Sequence, residues 1–132
     1  MIRTLAVLLL LTLPALSARA ASCRGSDPQI AAVVVERVET MGNINRYHLS
    51  GTVTNMGAAT QASNLLQSVD IFDADDRLDT KSIPPLRPGE SFTFTYVSVR
   101  SAQAGKGTTQ LGFQLDPISP CSVGNDRYTL TF

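Results

Sequence analysis

The residue types on which most enzyme chemistry depends are sparse in this chain of 132 residues, which has one histidine and two cysteines. Nucleophilic catalysis needs a base within reach of a serine or cysteine. The one histidine, His48, falls on the polar side of an alternating stretch, and no G-x-S-x-G motif accompanies it. The sequence therefore predicts no catalytic residue, with an unrecognised hydrolase built on His48 kept as an alternative.

Metal and cofactor chemistry also finds few candidates. The densest group of possible ligands is Asp73, Asp75, Asp76 and Asp79. Calcium takes oxygen ligands, but an EF-hand loop needs a glycine that this stretch lacks. A solvated hairpin turn is the favoured interpretation, and cation binding by these aspartates is left open. A zinc site would need more Cys and His ligands than the chain offers, and no glycine-rich turn predicts a bound nucleotide. We therefore predict neither a metal nor a cofactor.

The first twenty residues have the pattern of a cleavable export signal. Arg3 precedes an apolar run over residues 5–13, and small residues follow at Ala18 and Ala20. A basic start, a short apolar segment and an A-x-A site are typical of a secretory signal peptide, and the run is too short to span a bilayer. We predict that residues 1–20 are removed and that the protein is exported, to the periplasm or the medium, without an integral membrane span.

Removal of this leader changes the charge of the protein. The whole chain has eleven basic and eleven acidic residues. Loss of Arg3 and Arg19 leaves nine basic residues against the eleven acidic ones, a net charge of −2. This balance does not provide the basic surface that binds phosphate backbones, and it excludes nucleic acid as the expected partner.

The two cysteines are expected to pair, because exported proteins fold in an oxidising compartment. A bridge between Cys23 and Cys121 closes a loop of 98 residues, for which the chain-entropy account gives about 4–5 kcal/mol of stabilisation. The small residues before Cys23 leave open an alternative, in which that thiol is acylated and anchors the chain to lipid. We divide the chain into the signal peptide, a segment over 21–28 that carries Cys23, and a domain over 29–132.

The domain has the pattern of short strands separated by turns. Alternation of apolar and polar residues, or β-branched runs, predicts seven strands. They cover residues 30–38, 47–54, 66–72, 78–83, 91–99, 109–115 and 128–132. Many short strands at this spacing are typical of a β-sandwich. The predicted fold is therefore all-β, a single seven-stranded antiparallel immunoglobulin-like β-sandwich.

Strand direction predicts which loops lie together. If the strands alternate in direction, the second–third, fourth–fifth and sixth–seventh connections share one end with the start of the first strand. Both cysteines fall at this end, and loops clustered on a rigid scaffold commonly carry binding residues. The candidate binding residues in these loops are Asn55, Gln61, Asn64, Asp116, Asn125 and Asp126. The apolar strand over 30–38 is a second candidate, through addition of a partner strand at its edge.

Three motifs together resemble bacterial CARDB-type domains, the cell adhesion related domain found in bacteria, within the immunoglobulin-like superfamily. One is the run 51–57, which fits a V-x-N-x-G turn through Val53, Asn55 and Gly57. Another is the run 83–91, which fits an L-x-P-G-x-S turn through Leu86 and Gly89. The last is the run 115–117, which is followed by a polar loop and a closing strand. The resemblance covers residues 27–132 and implies a sandwich with a non-enzymatic role.

The motif residues also have direct physical interpretations. Gly57 and Gly89 suit positive backbone dihedrals, and Asn55 can cap its turn with its own side chain. Leu86 is expected to fill the core beneath its loop. Together these observations predict an exported, non-catalytic binding or accessory module that presents the clustered loops, or a sheet edge, to a protein or glycan of the cell envelope. A structural, envelope-stabilising protein is the alternative, and the oligomeric state stays open.

Overall fold

The computed structural model describes residues 24–119, 121 and 126–132, and the predicted signal peptide lies outside them. The described chain is all-β and contains no helix. Its strands are β1 (Pro28–Met41), β2 (Ile44–Asn55), β3 (Gln67–Asp73), β4 (Asp76–Ile83), β5 (Ser91–Ser101), β6 (Gln110–Asp116) and β7 (Arg127–Thr131). Accordingly, no described segment forms a helix long and apolar enough to cross a membrane.

The seven strands form two antiparallel sheets. One has three strands in the order β1-β2-β5, and the other has four in the order β4-β3-β6-β7. The β1–β2, β3–β4 and β6–β7 neighbours are consecutive in the chain, whereas β5 returns to pair with β2. The predicted seven antiparallel strands are confirmed, and the strand that ends at Ile83 lies at the edge of its sheet.

The core lies between the two sheets and is built from alternate residues of their strands. Leu49 and Val53 from β2 belong to the same core cluster as Val69 and Ile71 from β3, and all four are almost completely buried. Because side chains alternate between the two faces of a strand, one apolar residue in two is enough to build this layer. The inward residues of β6 follow the same alternation. They are Leu111, Phe113 and Leu115, each at most 1% exposed.

At one core position, a single aromatic ring fills the space above two paired strands. Gly51 in β2 pairs with Phe94 in β5, and a methyl group on Gly51 would lie 2.1 Å from a ring atom of Phe94. The Phe94 ring therefore lies directly over the glycine. It also contacts Phe113 of the opposite sheet, with 6.0 Å between the ring centroids. Gly51 thus lets one aromatic side chain link the two sheets.

The third strand begins one residue later than predicted. The sequence left open whether Leu66, or Val69 and Ile71, point inward. Val69 and Ile71 do, whereas Leu66 lies before β3 and is 91% exposed, and Gln67 is buried. Alternation accounts for the difference, because a strand that turns Val69 inward also turns Gln67 inward and leaves Leu66 outside. The buried glutamine is possible because its side chain has a hydrogen-bond partner, described below.

Among the strands that the structure describes, the long strand β1 pairs only with β2, so its other edge is free. Its pairing shifts register at two places, between Ile30 and Ala32 and between Val35 and Arg37. Irregularities of this kind bend a strand and interrupt the even row of edge hydrogen-bonding groups. They make the β1 edge a poor template for an added partner strand, so we take the loops as the main candidate surface.

Candidate binding surface

Asn55 is the centre of the loop end of the molecule. It ends β2 and is fully buried. Its Oδ1 accepts hydrogen bonds from the backbone N–H groups of Asp27 (2.9 Å) and Gly57 (3.0 Å). Its Nδ2 donates to the carbonyl oxygens of Ala59 and Leu86, both at 2.9 Å. One amide side chain therefore joins the start of β1, the β2–β3 loop and the β4–β5 loop. The predicted capping role of Asn55 is confirmed and is wider than the sequence indicated.

A second buried amide continues this network. Gln61 in the β2–β3 loop accepts a hydrogen bond at its Oε1 from the backbone N–H of Leu86 (2.9 Å), and its own N–H donates to the Leu86 carbonyl (3.0 Å). Its Nε2 donates to Oε1 of Gln67. Leu86 itself is 1% exposed, which confirms its predicted place in the core. The network fixes the β2–β3 loop on top of the β4–β5 loop.

The segment before β1 and the β6–β7 loop meet at the same end. The Ser119 hydroxyl donates to the Ser26 carbonyl at 3.2 Å, and the Cys121 N–H donates to the Ser119 Oγ at 3.2 Å. Ser26 is three residues after Cys23, which lies outside the described residues. The predicted clustering of the loops at one end is confirmed. The Cys23–Cys121 bridge stays a prediction.

The two motif glycines have different structural reasons. Gly89 has a φ of +76°, which confirms the expectation of a positive dihedral. Gly57 does not have a positive φ, so that expectation was wrong for it. A Cβ at position 57 would lie 2.1 Å from the carbonyl oxygen of Gly25 and 2.6 Å from the N–H nitrogen of Asp27. Gly57 is needed because two backbone segments approach too closely for any side chain.

The candidate binding residues separate into two groups. Asn55, Gln61 and Asp126 are buried, and the Asp126 carbonyl accepts the Leu115 N–H at 2.9 Å. Asn64 and Asp116 are exposed on the outside of the loops. The buried residues hold the loop end together, whereas the exposed residues can reach a partner. Asn125 lies outside the described residues.

A groove of about 450 Å³, which we call the loop-end groove, lies beside Asp116. Leu66, Pro85 and Pro117 form its apolar wall, and Ser68 and Ser82 line its sheet side. Sequence reasoning missed Leu66 and Pro117 as site residues. Two features of the sequence could have identified them. A register that turns Val69 inward leaves Leu66 outside, and Pro117 directly follows Asp116.

His48 lies on the outer face of the three-stranded sheet, as predicted. Its Nε2 forms a hydrogen bond with Oε2 of Glu39, at a distance of 3.0 Å. Partial removal from water lowers the pKa of His48 from its ordinary value, and the positive charges of Arg37 and Arg46 lower it further.

The aspartate cluster forms the β3–β4 hairpin, in agreement with the favoured interpretation. Asp73 pairs with Asp76 across a two-residue turn whose first residue, Ala74, has a φ of 52°. The Asp73 carboxylate accepts a hydrogen bond from Arg100 Nη2 at 3.0 Å, and Asp79 is 2.9 Å from Lys81 Nζ. Two of the four carboxylates are thus neutralised by cations. In residues 24–119, 121 and 126–132, no three His, Cys, Asp or Glu side chains gather as metal ligands.

Replacement of Lys81 tests this electrostatic arrangement. A hydrogen bond from Lys81, with a second from the Thr80 N–H, lowers the pKa of Asp79 below its ordinary value. We expect Lys81→Met to raise the pKa of Asp79 toward that value, as followed by ¹³C NMR of the carboxyl group. The lowered pKa also means that the pair stabilises the fold above the ordinary pKa of aspartate, and that this stabilisation is lost as the pH falls through the lowered pKa.

Lys106→Met is the matched control, because Lys106 is an exposed lysine in the β5–β6 loop, away from Asp79. This variant should leave the pKa of Asp79 unchanged. Equal titration of Asp79 in the wild type and in Lys81→Met would show that Lys81 does not act on the carboxylate.

Comparison with known protein families, with curated proteins and with solved structures found no match for this chain.

Proposed function

We propose that this protein is an exported, non-catalytic binding module that presents the loop-end groove to a protein partner in the cell envelope. The observation that carries the proposal is Leu66, a large apolar side chain that is 91% exposed. It lies on a loop that the buried Asn55 and Gln61 amides hold in place. A single exposed apolar residue is ordinary on a protein surface. An exposed leucine on a fixed loop, beside further apolar groups, is the pattern of a protein contact.

The neighbours of Leu66 enlarge this apolar area. Pro85 and Pro117 lie in the groove wall, and Ile118, the residue after Pro117, is 53% exposed outside the groove lining. Asp116 adds a carboxylate at the edge. A partner that fits this surface has an apolar pocket for Leu66 and a basic side chain opposite Asp116. The fixed backbone lowers the entropy that must be lost on binding.

The order of the strands supports an immunoglobulin-like sandwich of the CARDB type as the fold behind this surface. Sheets of three and four antiparallel strands around one core agree with that architecture. The roles of Asn55, Leu86 and Gly89 in the two turns also agree with the motifs that resemble the CARDB family. The resemblance supports the fold and a non-enzymatic role, whereas the geometry of the loops supports the binding surface.

Export is the second part of the proposal. It depends on the signal-peptide pattern of residues 1–20, and the contact between Ser26 and Ser119 agrees with a Cys23–Cys121 bridge nearby. The measurement is the intact mass of the protein purified from its own cells. We expect a chain that begins at Ala21, with a mass lower by two hydrogens than after reduction. A mass increase from acyl groups would instead identify the lipid-anchored alternative.

Site-specific photo-crosslinking tests the surface itself. A chain that carries a photoreactive phenylalanine at position 66 should form a discrete adduct with a protein in the living cell, identified by mass spectrometry. The matched control has the same residue in place of Leu78, which is 44% exposed on the edge strand β4, outside the loop end. No adduct at position 66, or equal adducts at both positions, would count against the proposed surface.

Substitution of the same residue gives an independent check. We expect Leu66→Ser to abolish the adduct formed from a second photoreactive residue at position 118, while the free energy of unfolding changes by no more than about 0.5 kcal/mol. The small stability change is expected because Leu66 makes little buried contact in the folded chain. A loss of the adduct together with normal stability separates recognition from folding.

A further inference from the structure

The outer face of the four-stranded sheet carries a depression of about 350 Å³ that is separate from the loop-end groove. It lies across β3, β6 and β7, where Phe72 pairs with Gly112 and Gly112 pairs with Thr129. Gln114 and Arg127 form the next pair along the same face, and Asp75 lies at the hairpin end. The depression therefore combines one aromatic ring with several polar side chains on one face of the sheet.

Gly112 is the reason that this face is open. A Cβ built on Gly112 would have only the Cβ of Phe72 within 4 Å, at 3.9 Å, and no atom of its ring. The contrast is Gly51, where the ring of Phe94 covers the glycine completely. The half-buried Phe72 side chain borders the depression instead of filling it. Space for a ligand is thus left beside an aromatic side chain.

The polar side chains around this space are not used by the fold. Asp75, Gln114, Arg127 and Thr129 make no side-chain hydrogen bond or ion pair with any residue in the described ranges. Three other carboxylates of the same sheet have partners, since Asp70 accepts a hydrogen bond from Thr80 Oγ1 at 2.7 Å, and Asp73 and Asp79 have cationic partners. The depression is therefore lined by donors and acceptors that are available to a ligand.

We propose that this depression is a saccharide-binding site. The C–H face of a pyranose ring is apolar and slightly positive, and it suits the negative face of an aromatic ring such as Phe72. The hydroxyl groups at the rim of the sugar need both donors and acceptors, which Arg127, Gln114 and Asp75 supply. A shallow site with one aromatic ring and a few polar groups fits one or two sugar units of a glycan chain.

This site goes beyond the proposed function, because it occupies a different surface and takes a different class of ligand. The loop-end groove lies where β3 begins, at Gln67, whereas Phe72 lies near the other end of that strand. The two sites share no lining residue, so we expect the loss of either to leave the other intact. The two proposals can therefore fail independently.

An NMR titration of the ¹⁵N-labelled protein tests the saccharide site. The probes are cellotetraose, chitotetraose, maltotetraose and mannotetraose. Each is added to about 20 mM, a concentration at which binding with a millimolar dissociation constant is detected. We expect at least one tetrasaccharide to shift the amide signals of Gly112, Gln114 and Thr129, with saturation transfer from the Phe72 ring to the sugar. If none of the four shifts these amides, the proposal is overturned.

Two variants show whether the depression itself is responsible. Gly112→Val should keep the fold, because position 112 has room for a Cβ and valine favours a strand, but its side chain would occupy the ligand space. We expect Gly112→Val and Phe72→Ala each to weaken binding at least about tenfold, whereas Leu78→Ala on β4 should bind as the wild type does. Unchanged binding in Gly112→Val and Phe72→Ala would place the sugar elsewhere and overturn the assignment.

Discussion

Asn55→Ala is expected to lower the free energy of unfolding by about 3–5 kcal/mol, because the substitution leaves several buried backbone groups without partners at about 1–3 kcal/mol each. Asn55 is fully buried and makes four hydrogen bonds, two as acceptor and two as donor. Water can restore part of the loss as the loops open, so the cost does not reach the sum of four separate bonds. Domains of this size have a free energy of unfolding of about 5–15 kcal/mol. Asn55→Ala is therefore expected to remove a large share of the stability of the fold.

Chemical denaturation followed by circular dichroism measures this change. The matched control is Asn64→Ala, which removes an exposed asparagine from the same β2–β3 loop and should change the stability by less than about 0.5 kcal/mol. A similar small effect at both positions would mean that the loops are held together without the Asn55 amide.

Gly57→Ala is expected to destabilise the protein by more than about 3 kcal/mol, above the usual range for a single substitution. The added methyl carbon would lie 2.1 Å from the Gly25 carbonyl oxygen and 2.6 Å from the Asp27 nitrogen. Both obstacles are backbone atoms, so no side-chain rotation can relieve the contact. The segment over 25–27 has to move away, which breaks the hydrogen bonds from Met56 and Ala58 to that segment.

Two glycine controls separate this contact from a general effect of replacing glycine. Gly112→Ala has free space and an ordinary backbone, and we expect it to be neutral or slightly stabilising. Gly89→Ala has free space but a φ of +76°, and we expect it to cost about 1 kcal/mol. Thermal melts of the three variants should give the order Gly112, Gly89, Gly57 from least to most destabilised. A mild Gly57→Ala variant would contradict the close backbone approach.

The strands could be predicted because their inward positions alternate clearly. Leu111, Phe113 and Leu115 show this best, since all three are large apolar residues and the residues between them, Gly112 and Gln114, are not. The clustering of the loops followed from strand direction alone. Alternation fails at the ends of strands, which is why Leu66 was included in a strand that begins at Gln67.

The surfaces were harder to predict than the core, because they depend on contacts between residues distant in sequence. Asn55 could be recognised as a turn residue, but nothing in the neighbouring sequence indicates that its amide also reaches Leu86. The open face at Gly112 depends on a ring 40 positions earlier that lies beside the glycine without covering it. A sequence shows that a polar residue follows a strand but does not show whether its side chain is already bonded within the fold, as it is for Gln61.

The contact between Ser26 and Ser119 also restricts how the molecule can be oriented at a surface. Residue 26 is held beside the loop-end groove, and three residues of extended chain reach at most about 10 Å. A fatty-acyl chain on Cys23 would therefore direct the groove toward the bilayer and hide Leu66 from large soluble proteins. The saccharide face, on the side of the sandwich, would stay accessible in that orientation. Accessibility of position 66 to a membrane-impermeant reagent in intact cells thus reports how the protein is attached.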